Sequence, residues 1–261
     1  METLVVERSD GVVTVTLNRP EKKNAISGQM WRELTATLRE VSGQRDDRVL
    51  VLTGAGDAFC SGQDLTDDDN QGRFSGVGGV LDSMRMVGSV ALSLHEMPKP
   101  TIAAVNGVAA GAGCNLALGC DLIVASDQAR FSQIFVKRGL SVDFGGTWLL
   151  PRLVGLHKAK ELAFLGDILS ADEAAAAGLV NRVVPSERLG AEVGELAARL
   201  SRQAPLPLSM MKKALNESFA LSFAQAVEQE AVTQASTFTS KDTAEAMAAF
   251  LEKREPRFSG Q

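Results

Sequence analysis

The pattern of apolar and polar positions splits the chain into a front part of alternating and short apolar runs and a rear part of helical stripes. Thr3–Arg8 and Val12–Asn18 alternate on either side of Ser9-Asp10-Gly11, which predicts a hairpin. Gln29–Ser42 sets Met30, Leu34, Leu38 and Val41 on one face of a predicted helix. Val49–Thr53 and Thr101–Val105 are short apolar and β-branched runs that read as buried strands. Thr66–Ser83 is rich in Asp, Gly and Ser and reads as a mobile loop, while Gly79–Met97 predicts a long helix stopped before Pro98. Leu122–Ala125 is strand-like and Gly145–Leu153 opens another helix. Ser170-Ala171-Asp172-Glu173 has the spacing of a capping box. After Pro185 the pattern is helical throughout, over Glu187–Gln203, Pro205–Phe219, Ser222–Thr237 and Lys241–Lys253. The class is therefore α/β with a helical carboxy-terminal end.

Two strand-to-loop transitions carry the candidate chemistry. In Ala104–Asp121, Gly107, Gly111 and Gly113 remove side chains where the chain leaves a strand and enters a helix. Such a turn aims free N–H groups at its surroundings, which suits a phosphate or a developing oxyanion. The spacing matches neither nucleotide-binding glycine fingerprint, so the oxyanion reading leads over phosphate; a packing crossover of small residues explains the same letters. About 50 residues earlier, Gly54-Ala55-Gly56-Asp57 and then Phe59–Leu65 (FCSGQDL) follow the Val49–Thr53 run. Each segment can supply one N–H to a shared carbonyl oxygen, the arrangement of an oxyanion hole.

Composition narrows the picture. A chain of 261 residues can bury a large core. Its net charge of −5 gives no reason to expect nucleic acid or an anionic membrane as partner. Met1–Asp10 lacks the basic head and apolar run of a signal peptide, and no apolar stretch reads as a membrane span, so a cytoplasmic location is expected. Cys60, Cys114 and Cys120 show no C-x-x-C spacing, and the two histidines, His95 and His157, are far apart. Disulfides, a metal site and a Ser-His triad are accordingly not expected.

Together, F-C-S-G-Q-D-L and N-G-V-A-A-G-A-G-C-N-L-A-L resemble the paired motifs of the enoyl-CoA hydratase/isomerase (crotonase) superfamily. The likeness runs from Val15–Ala25 (VTLNRPEKKNA) through Gly145–Gly155 (GGTWLLPRLVG) and Ala175–Val184 to Ala249–Phe258 (AFLEKREPRF), nearly the whole chain. The resemblance implies a spiral of ββα turns over residues 1–200 that binds acyl-CoA, and a helical oligomerisation region over 201–261 that packs a homotrimer or a dimer of trimers. It places the oxyanion donors at the backbone N–H groups of Gln63 and Ala112, flanked by Gly62 and Gly111. It implies no cofactor beyond the coenzyme A of the substrate itself. Lys22, Lys23, Ala25, Ser61, Asp64 and Leu65 match positions along the coenzyme path, and Phe250 and Lys253 match positions that reach the coenzyme, often from a neighbouring subunit. For the lysines solvation is the alternative, and for Asp64 a loop brace. Asp67-Asp68-Asp69 reads as solvated loop rather than as a metal site.

What such a hole accomplishes depends on the carboxylates beside it. Family hydratases hold water between two glutamates; the matching positions here are Asn115 and Phe135, neither of which is a base. Asn115 retains the capacity to hydrogen-bond a substrate or water. Asp143, among apolar neighbours and just before a helix, stands where family isomerases carry a catalytic aspartate. Its alternative role is that of an N-cap. The resemblance thus implies an acyl-CoA isomerase using Asp143 as acid and base on a ring-epoxide phenylacetyl thioester or a 3-enoyl thioester. A hydratase or other lyase, and a non-catalytic acyl-CoA-binding subunit, are the alternatives. Arg138 either steers Asp143 or faces solvent.

Overall fold

The computed structural model describes residues 1–67 and 76–261. β1 (Leu4–Ser9) and β2 (Val12–Leu17) form the expected antiparallel hairpin. Its turn residues Asp10 and Gly11 both have positive φ, the twist that a two-residue hairpin favours. Behind α1 (Gly28–Gly43) the chain alternates between two sheets. β3 (Val49–Gly54) enters the large sheet and β4 (Ala58–Cys60) the small one. After α2 (Gly76–His95), β5 (Thr101–Val105) and β6 (Val108–Ala110) do the same. After α3 (Ala112–Leu118), β7 (Leu122–Ser126) and β8 (Arg130–Ser132) complete a third turn. Each turn is a ββα unit, and the turns stack as a spiral. β9 (Ile168–Ser170) closes the small sheet antiparallel to β8, and β10 (Arg182–Val184) closes the large one parallel to β7.

The layers explain the short, unbroken apolar runs. Leu50, Leu52, Ala103 and Val105 face a core shared with α1, α2 and α3. Their neighbours Val49, Val51, Ile102 and Ala104 face the other way, where α7 (Leu189–Ser201) covers them with Leu189, Val193, Leu196 and Ala197. Central strands buried on both faces lose the polar alternation that the hairpin keeps.

Between the sheets and the tail lie α4 (Gly146–Val154), α5 (Leu156–Leu165) and α6 (Ala171–Ala176). α6 starts on the expected capping box, Ser170 Oγ accepting from Glu173 N and Glu173 Oε2 accepting from Ser170 N. The tail is α8 (Pro205–Glu217), α9 (Phe223–Phe238) and α10 (Lys241–Glu252).

Two expectations need correction. Gly76–Ser83 lies in α2 rather than in a loop; its glycines and serine dilute the helical stripe that becomes clear only after Met84. At 20 residues, with a mean hydropathy of 1.2 over its apolar window, α2 also has the length and composition of a membrane span. Val87, Val90 and Leu94 bury one face of it in the core.

Candidate active site

The first loop is built on the segment before α1. Arg19 donates from Nη1 to Ala25 O (2.6 Å) and from Nη2 to Asp64 Oδ2 (2.9 Å), tying residues 19–25 to the loop after β4. Ser61 N donates to Lys23 O, Ile26 N to Gly62 O and Asp64 N to Ile26 O, a short parallel ladder. Gly62 C=O and Gln63 N–H belong to one planar trans peptide and point in opposite directions. Because Ile26 holds the carbonyl at 2.8 Å, the Gln63 N–H is turned away from the ladder. Gly62 makes this possible with φ of 99°, in the left-handed region.

The second loop follows β6. Gly111, with φ of 54° and ψ of −127°, is the N-cap of α3, and its carbonyl accepts from Asn115 N at 3.0 Å. The same peptide therefore points the Ala112 N–H backwards out of the helix, where no acceptor of the helix itself exists. A Cβ on Gly62 would lie 3.6 Å from Ala112 N, so the two loops meet at these residues. A Cβ on Gly111 would lie 3.8 Å from Phe135 Cζ, which puts that buried ring beside the entrance to α3. The start of α3 thus adjoins the first loop on one side and an apolar ring on the other.

Asp143 lies in the loop before α4. Gly145 is the N-cap there, without a side-chain cap, so Asp143 does not cap the helix with its carboxylate. Its backbone carbonyl instead accepts twice, from Gly146 N and from Asn115 Nδ2, both at 2.9 Å. The buried Oδ1 of the carboxylate has no hydrogen-bond partner among the described residues. Desolvation by burial pushes the group from its ordinary value of 3.8 up to about 6. Arg138 is exposed and is not among the causes of that shift.

Asn115 is fully buried and both ends of its amide are engaged. With Nδ2 on Asp143 O, its Oδ1 accepts from Gln133 Nε2 at 2.8 Å. The direction is forced, because a carbonyl accepts only; Asn115 must present its N–H₂ to Asp143 and its oxygen to Gln133. Asn115 therefore braces the Asp143 loop from inside. Gln133, which carried no sequence signal, completes the relay. Gln133→Leu leaves Asn115 Oδ1 buried without a donor and is expected to cost about 1–3 kcal/mol of stability, read by denaturant unfolding.

The remaining candidate residues divide into two groups. Lys22, Lys23, Ala25, Ser61, Gly62, Asp64 and Leu65 come together along the ladder. Lys22 and Lys23 are exposed; Lys22 Nζ donates to Thr66 Oγ1 at 3.3 Å and Lys23 Nζ lies 2.5 Å from Asp57 Oδ2. Ala25 is buried, Leu65 is exposed and Ser61 Oγ donates to Lys22 O at 3.3 Å. Asp64 Oδ1 accepts from Thr66 N and Oγ1, so this carboxylate, held below its usual range by those bonds and Arg19 despite the opposing effect of burial, braces the loop. Asp67 Oδ2 accepts from Gly28 N at 2.7 Å, while Asp68 and Asp69 lie outside the described residues. Phe250, 81 % exposed, and Lys253 stand at the end of α10, and no described contact joins either to the site. All three cysteines are free and buried; burial pushes their thiols up to about 12, so none is a thiolate nucleophile at neutral pH.

Residues 7–261 match the model of the family described as enoyl-CoA hydratase/isomerase. The chain belongs to that family. Among its relatives is the 1,2-epoxyphenylacetyl-CoA isomerase of Escherichia coli K12, 41 % identical over the full length of both chains. A probable enoyl-CoA hydratase of Rhodobacter capsulatus is 39 % identical over 99 % of this chain and 98 % of its own. Among solved structures, a putative enoyl-CoA hydratase from Streptomyces coelicolor A3(2) superposes with a TM-score of 0.94 at 42 % identity, covering 99 % of this chain and 94 % of that one. The two-sheet ββα spiral is thus the crotonase fold, and the chain is an enzyme of a family that acts on coenzyme A thioesters.

Proposed function

We propose that this family member isomerises an acyl-CoA, holding the thioester oxygen between the N–H groups of Gln63 and Ala112 and moving a proton with Asp143. The observation that carries this reading is the half-buried carboxylate of Asp143, whose Oδ1 has no hydrogen-bond partner among the described residues, with asparagine and phenylalanine where a water-activating glutamate pair would stand. With a 3-enoyl thioester, Asp143 removes a proton from C2 and the electron pair spreads over the thioester and the double bond. The two N–H groups stabilise the resulting enolate oxygen. Asp143 then returns the proton at C4, and the double bond ends between C2 and C3. No water enters and no mass is gained. A base poised near 6 is mostly ionised at pH 7, and its conjugate acid is strong enough to give the proton back. Phe135 and Phe144 keep bulk water from the base.

The name of the Escherichia coli relative supports a ring epoxide of phenylacetyl-CoA as the alternative acyl group. Relatives named as hydratases, among them that of Rhodobacter capsulatus, support water addition as a second reading, with Asp143 activating the water. Lys22 and Lys23 suit the phosphates of the coenzyme as exposed point charges beside the first loop. α8 buries no residue, and Phe219, Phe223, Phe238, Phe250 and Leu251 are all exposed on the tail, which supports burial of this region in a homo-oligomer.

Three substrates separate the readings: a 2-enoyl-CoA, a 3-enoyl-CoA and an epoxidised phenylacetyl-CoA. Absorbance reports double-bond movement or ring expansion, and mass spectrometry reports water gain. Isomerisation at constant mass with either of the last two is the expected result. Water addition to the first, with neither isomerisation, overturns the proposal.

A further inference from the structure

Gln63 and Asp143 stand on loops 80 residues apart in the chain, yet one buried side chain touches both loops. Trp31 lies in the first turn of α1, which Ser27 caps by accepting from Met30 N, and it is 1 % exposed. Its Nε1–H donates to Gln63 Oε1 at 2.7 Å. Its ring stacks on that of Phe144, with centroids 5.7 Å apart and planes 26° apart. Phe144 directly follows Asp143 and has a φ of 50°, a left-handed conformation that is costly for a non-glycine residue. Burial of its ring against Trp31 helps to offset that cost, and in this conformation the chain carries Asp143 on one side and the start of α4 on the other. On the donor side, the residue before Gln63 is a glycine, the most permissive hinge a loop can have. The indole N–H fixes the side chain just beyond that hinge.

We infer that Trp31 is a positioning residue that sets the separation between the Gln63 N–H and the Asp143 carboxylate. The inference rests on the proposed roles of those two groups. It assigns no contact between Trp31 and substrate; the indole acts through the Gln63 amide on one side and the Phe144 ring on the other.

Two conservative variants test it. Trp31→Phe keeps an aromatic ring against Phe144 and deletes the N–H. Gln63→Met deletes the acceptor, leaves Trp31 in place and keeps the backbone N–H that faces the oxyanion. Each is expected to lower kcat by roughly tenfold, with KM for the isomerised acyl-CoA changed less than about twofold, since misplacement of a donor removes stabilisation specific to the transition state. The double variant is expected to lose little more than either alone, because both delete the same hydrogen bond. The carbonyl stretch of a bound, isotopically labelled thioester reads the polarisation directly, and in both variants it should move towards its value in water. Thermal melts identify any loss caused by unfolding, and Gln63→Met serves where Trp31→Phe is too unstable. A kcat within twofold of the parent in both variants, or an unshifted carbonyl stretch, overturns the inference. If Asp143→Asn and Ala112→Pro keep full turnover, the proposed function fails; if both are inactive while Trp31→Phe and Gln63→Met are unaffected, this inference alone fails.

Discussion

Asp143→Asn is expected to lower turnover by roughly 10²- to 10⁴-fold, the usual worth of a positioned general acid–base, while acyl-CoA binding persists. The same variant should be more stable than the parent at neutral pH. Burial raises the folded carboxyl from 3.8 to about 6, so folding favours its protonated form. Below the unfolded value the group costs nothing; the penalty of holding it ionised grows as pH rises from about 4 to 6 and is complete above that. The asparagine has no charge to bury, and its advantage should grow over the same interval to about 1–3 kcal/mol. Denaturant unfolding at pH 4 and pH 7.5 measures it. Parental turnover should rise through pH 6 and then level off as the base ionises. An asparagine variant that is less stable at pH 7.5 and fully active would make Asp143 a structural residue.

The second large effect lies in the proposed oxyanion donors. Ala112→Pro removes one N–H and is expected to lower kcat by about 10²- to 10³-fold, the cost of losing one such donor. The site suits the substitution structurally. Ala112 is the first residue of α3, where proline is tolerated because its nitrogen has no intrahelical acceptor. Gly111 before it, at φ 54° and ψ −127°, holds the mirror image of the extended conformation that a residue before proline adopts, which glycine reaches because it has no Cβ. A circular dichroism spectrum and melt close to those of the parent should therefore accompany the loss. Full activity in a folded Ala112→Pro protein would remove Ala112 from the mechanism whichever reaction is run.

Much of this architecture is legible in local sequence. The hairpin shows its alternation, α1 its stripe, α6 its capping box, and the four helices after Pro185 their periodicity. The central strands β3 and β5 show the unbroken apolar runs that burial on both faces produces. The small sheet is not legible, since β4, β6, β8 and β9 have three residues each and so carry no measurable period. α5 follows α4 after the single glycine Gly155 and has no start signal of its own, since Gly155 offers no side-chain cap.

The site divides in the same way. Glycines at the two loops and an aspartate among apolar residues are local signals, but it is the family resemblance that assigns roles to Gln63, Ala112 and Asp143. What the neighbouring side chains do there depends on long-range contacts. Asn115 suggests a polar group facing substrate, and only the structure shows that its amide also donates to Asp143 O and accepts from Gln133 Nε2. Trp31 is not among the stripe residues Met30, Leu34, Leu38 and Val41, yet it is core, and only its partners Gln63 and Phe144, 32 and 113 residues away, show what it joins. Gln133 sits beside Phe135 with no pattern to single it out.

In the proposed reaction the oxyanion hole and Asp143 move a proton without adding water. The direct measurement is the product mass after turnover of a 3-enoyl-CoA, and separately of an epoxidised phenylacetyl-CoA, in water labelled with heavy oxygen. The expected product is isomeric with at least one of these substrates, carries no heavy oxygen and is absent with Asp143→Asn. A product heavier by one labelled water, and no isomer from either substrate, would contradict it.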